Sequence, residues 1–161
     1  MVGSSQSRPK LYDDAVLEMT VDAIVPKIMK YLAASGDDEQ SDPALVRSDV
    51  RRAIEMEDDP YKIARYLDDL GWDATVDLVD LVECVSLSRY DAYRKLVAEW
   101  VIRTRPAQRF STGDAVTFMS NKTIVFGRIV NVDTAYAQYT VFCAAEGHVQ
   151  HGVGVHGSIV N

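Results

Sequence analysis

Three histidines, His148, His151 and His156, fall within nine residues of the C-terminal stretch EGHVQHGVGVHGSIVN, and the 161-residue chain holds no others. Imidazole is the commonest metal ligand, so the cluster raises the question of a metal-dependent hydrolase. A zinc site needs three or four donor atoms converging at about 2 Å from one point. On one continuous strand, His148 and His156 would stand about 26 Å apart, with His151 on the opposite face. If GVGV is a hairpin loop, His151 and His156 become cross-strand neighbours with Cβ atoms about 5 Å apart, and His148 stays further along. At most two rings meet. The pattern therefore favours a polar hairpin edge, and no metal or other cofactor is expected.

A second set is acidic. Asp73, Asp77, Asp80 and Glu83 fall on one side of an expected helix, opposite Ala74, Leu78, Leu81, Val82 and Val85. Di-iron bundles aim Glu-x-x-His pairs into the core. Here no histidine precedes residue 148, and the carboxylates oppose the apolar stripe, so they read as a solvated face. Such a face is a candidate surface for a basic partner, or an imitation of a nucleic-acid backbone. Cys84 and Cys143 lie in apolar runs without C-x-x-C spacing and read as reduced core thiols. The motifs G-x-S-x-G, G-x-G-x-x-G and G-x-x-x-x-G-K are absent. The glycines of HGVGVHG belong to a hairpin pattern, whereas phosphate cradling needs a strand-to-helix turn.

A third set is basic and aromatic. Arg103, Arg105 and Arg109 cluster beside Phe110, and Arg128, Tyr136 and Tyr139 follow in the strand-like part. Aromatic faces beside cations recognise peptides or single-stranded nucleic acid. Residues 103–161 carry five Lys/Arg against three Asp/Glu, a thin electrostatic footprint for nucleic acid. Residues 1–102 carry 12 Lys/Arg against 21 Asp/Glu, which argues against the whole chain as a nonspecific nucleic-acid binder.

These residues are positioned by two kinds of pattern. Before Pro106 the spacing is helical. Segments are expected over 13–34, with a kink or break at Pro26, and after two Asp-Pro starts, at Asp42-Pro43 and Asp59-Pro60, where aspartate caps and proline fits the first turn. Gly71 supplies a left-handed stop. Two more helices are expected over 73–87 and 88–102, the latter with Tyr93, Leu96, Val97, Trp100 and Val101 on one face. After Gly113-Asp114 the runs DAVTFM, TIVFGRIVNV, YAQYTVFC, HVQHGV and HGSIV alternate with turn residues and predict five short strands, with a bulge or bend at Gly127.

The layout GDAVTF, GRIVNV, YTVF resembles the SH3-like, Tudor-type small barrels over roughly residues 110–160, and this resemblance implies a five-stranded SH3-like barrel at the C-terminus. The expected class is α+β: a tail over 1–10, an acidic helical bundle over 11–103, a linker over 104–112 and the barrel over 113–161. No apolar run reaches the length of a membrane span, no secretory leader is evident, and a cytoplasmic location is expected. The preferred function is a non-catalytic adaptor or regulatory protein that binds another macromolecule, a protein before a nucleic acid. It would act through the acidic face of Asp73, Asp77, Asp80 and Glu83, or through the barrel surface of Arg128, Tyr136 and Tyr139. Two alternatives stand beside it: a protein that binds or mimics nucleic acid, and a metal-dependent hydrolase using His151 and His156. Homodimerisation through a spare helix stripe or a barrel edge is compatible with the pattern.

Overall fold

The structure is a computed structural model that describes residues 7–35, 42–120 and 123–143, and the backbone of 148–150. Among these residues the chain forms helices α1 (Asp14–Ser35), α2 (Pro43–Met56), α3 (Pro60–Asp69), α4 (Val76–Val82) and α5 (Val85–Thr104). Strands β1 (Ala115–Ser120), β2 (Thr123–Asp133), β3 (Gln138–Cys143) and β4 (His148–Gln150) follow. The architecture is α+β. The chain divides into two compact units, Met1–Leu96 and Val97–Asn161. No helix among the described residues is long and apolar enough to cross a membrane.

Local chemistry sets the helix starts of the first unit. The Asp42 carboxylate accepts from the N–H of Ala44 at 2.9 Å, and Asp59 accepts from that of Lys62 at 3.1 Å. Each is followed by proline at the first helical position, where a missing N–H costs nothing. Gly71 lies at φ +93°, the left-handed conformation that ends α3. Of the kink or break expected at Pro26, the break does not occur: α1 runs through it as one helix. The helix expected from Asp73 starts three residues later, because Thr75 caps it by accepting from the N–H of Leu78 at 3.2 Å. Tyr31 hydrogen-bonds the same hydroxyl at 2.7 Å.

The core of this unit is built from one face of each helix. Val21, Ile24, Ile28 and Leu32 of α1 meet Val46, Val50 and Ile54 of α2, Ile63 and Leu67 of α3, and Leu78 and Val82 of α4. Among the described residues one charged side chain is buried in this unit. Arg89 of α5 is 7% exposed, pairs with Asp58 and donates to the carbonyl of Ile54 at 2.7 Å. The ring of Tyr12 lies 5.3 Å from its guanidinium carbon, and the Tyr12 hydroxyl donates to Asp58 at 3.2 Å. Outside, Glu18 accepts from Arg47 and Arg51, each at 2.6 Å, while Arg51 also reaches Asp14 and Glu55, and Arg47 reaches Asp22.

The second unit corrects the expected barrel. Its described strands form one antiparallel sheet in the order β1-β2-β3-β4, an open meander with β1 and β4 at the edges. Pairing follows sequence neighbours only, and one register shift, between Ile129 and Asn131, is too little bending to bring the edges together. The fifth expected strand, over 156–160, lies outside the described residues. The irregularity predicted at Gly127 falls at Val130 instead. Gly127 keeps regular register, opposite Val116. Its lack of a Cβ serves close packing: a methyl there would collide with the Val141 side chain and sit 2.9 Å from the carbonyl of Phe142.

Candidate interaction surface

Pleating sends successive side chains of β2 to opposite faces. Ile129 is buried with Val116, Val141 and Cys143, and Phe110, Phe118, Val125, Val132 and Tyr139 pack against them. This is the inner face. Ile124, Phe126 and Arg128 must then point the other way, and all three are exposed. Cross-strand register extends the same face. Met119 stands opposite Ile124, Thr117 opposite Phe126, and both Ala115 and Phe142 opposite Arg128.

The outer face is therefore apolar with a cation in it. Phe126 is 72% exposed, Met119 64% and Ile124 58%. With Phe142 and the bulge residue Val130 they show water on the order of 500 Å² of apolar surface, at the upper end of what a monomer's largest patch reaches. Arg128 is held over the sheet by a 2.6 Å hydrogen bond from its guanidinium to the carbonyl of Gly113.

The residues singled out from sequence separate here. Arg128 belongs to the outer face. Tyr139 does not: it packs on the inner side, edge-on to Phe110 with centroids 5.6 Å apart, and its hydroxyl accepts from the N–H of Arg109 at 3.0 Å. Tyr136 sits in the turn between β2 and β3, half-buried. Asp73 precedes α4, Asp77 and Asp80 lie within it and Glu83 caps its end; all four are exposed. Phe126, Phe142, Met119 and Ile124 are the residues that sequence reasoning missed. The signal was present in TIVFGRIV, where both alternating sets are apolar, so that one of them must face away from the core.

Other chemistry has little to work with among the described residues. No group of three His, Cys, Asp or Glu side chains converges as a metal site. His151 and His156 lie outside the described residues, and His148 enters β4 opposite Cys143. Neither cysteine is in a disulfide; Cys143 is fully buried, and Cys84 receives a hydrogen bond from Lys27 Nζ at 3.3 Å. A cleft of about 210 Å³ borders Arg89, Tyr12 and Glu55, and one of about 60 Å³ lies beside Tyr139. Both are smaller than the roughly 300–1,000 Å³ of ordinary ligand pockets. Comparison with protein families, curated proteins and solved structures finds no match to the chain.

Proposed function

We propose that this chain is a non-catalytic interaction protein whose docking surface is the outer face of its sheet, and that the partner is a protein. One observation carries the reading: Phe126, Phe142, Met119 and Ile124 stand exposed together on one face, around Arg128. Contiguous exposed apolar surface of this size is a liability unless something covers it. The chemistry favours a protein segment with apolar side chains and a carboxylate placed to meet Arg128. A nucleic acid would require a row of cations along the face, and Arg128 is the cation that the described strands supply. The acidic residues Asp77 and Asp80 are ordinary solvated helix positions and take second place.

Quantitative co-purification from native lysate tests this. Phe126→Asp should strip the specific partner, and the Asp77→Lys/Asp80→Lys double variant should keep it. The reverse outcome transfers the function to the acidic helical face. Retention of oligonucleotides, weakening steeply with salt, would replace the protein partner by a nucleic acid.

A further inference from the structure

Among the described residues strand β1 is an edge without a guard, and we propose that it pairs antiparallel with β1 of a second copy, forming a two-fold dimer. Edge strands present a row of unpaired N–H and C=O groups, and natural sheets blunt them with charge, proline, bulges or shortness. β1 uses none of these. Its sequence, AVTFMS, holds no charged residue and no proline, it runs for six residues, and its register against β2 is unbroken from Ala115 to Ser120. Among the described residues β2 is its one backbone partner.

The occupant follows from self-complementarity. Two antiparallel copies of one strand keep each side chain on its own face when the axis is perpendicular to the sheet. An axis at Thr117 sets threonine opposite threonine. Val116 then meets Phe118 of the second copy on the inner face, and Ala115 meets Met119 of the second copy on the outer. Polar faces polar and apolar faces apolar, the cross-strand pairing that stabilises sheets. The contact uses the β1 edge of each copy on the other, so this isologous pairing closes at two chains. It leaves Phe126 and Arg128 uncovered and sets two outer faces side by side. The proposal does not depend on what those faces bind.

Sedimentation equilibrium of the full chain tests it. At roughly 100 µM, where even a micromolar dimer is filled, the mass should approach twice 17.9 kDa. Thr117→Lys and Thr117→Glu, each folded by circular dichroism, should separately weaken dimerisation about tenfold through like charges facing across the axis. Mixing the two variants should restore the dimer, which a misfolded variant would not do. Phe126→Asp should remain dimeric even where it loses its partner. A monomeric wild type overturns the proposal, including the case in which residues 151–161 of the same chain occupy the edge. A dimer indifferent to both Thr117 variants, or a mixture that does not recover, overturns it as well.

Discussion

Arg128 of β2 stands directly opposite Phe142 of β3, on the face of the sheet turned away from its core. A cation beside an exposed ring does little for the folded chain, since water already serves both. Phe126→Ser on the same face should therefore shift the unfolding free energy by no more than about 0.5 kcal/mol. It should also shorten retention on a hydrophobic-interaction column. A denaturation midpoint that falls as far as core truncations do would place Phe126 in the core and remove the proposed docking face.

Gly127→Ala has the opposite expectation. The added methyl has no free space between Val141 and the Phe142 carbonyl, so β3 must move off β2. A loss of about 1–3 kcal/mol is expected, as for other overpacked sites. Thermal unfolding at or above the wild-type temperature would show that the two strands are not in such close contact.

The pair of Arg89 and Asp58 is lopsided, because the guanidinium is buried while the carboxylate is largely exposed. Asp58→Ala leaves an uncompensated charge inside and should cost about 3–5 kcal/mol. Arg89→Met lets Asp58 return to water and leaves the Ile54 carbonyl unpaired, at about 1–3 kcal/mol. Chemical denaturation of the two variants should rank them in that order; the reverse ranking contradicts the burial of Arg89.

Hydrogen bonds from Arg51 and then Arg47 hold the Glu18 carboxyl below its ordinary value. A carboxylate lowered in this way favours the folded state above its unfolded value, and the contribution fades as pH falls through the lowered folded one. Glu18→Gln should thus be less stable than wild type at neutral pH, and the difference should shrink in acid. The effect is small, since the group is partly solvated and salt screens it. A melting-temperature gap that stays constant from neutral pH into the acid range would show that the pairing is not what Glu18 contributes.

Pro26 lies inside α1 and is exposed. Proline removes a helix hydrogen bond and crowds the preceding turn. Pro26→Ala is expected to stabilise the protein by up to about 3 kcal/mol, the difference in helix preference between the two residues. Calorimetry showing a lower melting temperature would mean that a bend at Pro26 serves the packing of Ile24 and Ile28.

Helix starts were legible where a single side chain decides them. Asp42 and Asp59 cap what their sequence context says they cap, and Gly71 stops α3. The start of α4 was less so, because Asp73, Thr75 and Asp77 are all plausible caps and Thr75 is chosen by a distant residue, Tyr31. The sheet shows the same limit. The existence of β1 to β4 was legible, but which residues face the core depends on register against a neighbouring strand. Tyr139 and Phe142 are both aromatic residues of β3, three positions apart; pairing with Val132 turns the first inward, and pairing with Arg128 turns the second outward. Alternation along YTVFC requires the two to face opposite ways, and the register against β2 decides which of them faces the core. The step from strands to a small five-stranded barrel failed for a related reason, since curling into a barrel depends on accumulated bending and not on strand count.

The shift at Val130 also sets how β2 tolerates changes of length. Even-numbered positions look outward before it, and odd-numbered ones after it. Deleting Val130 alone would straighten the ladder and keep every remaining side chain on its present side. Deleting a residue away from the shift, such as Phe126, would force part of the strand to slip by one position, turning it inside out.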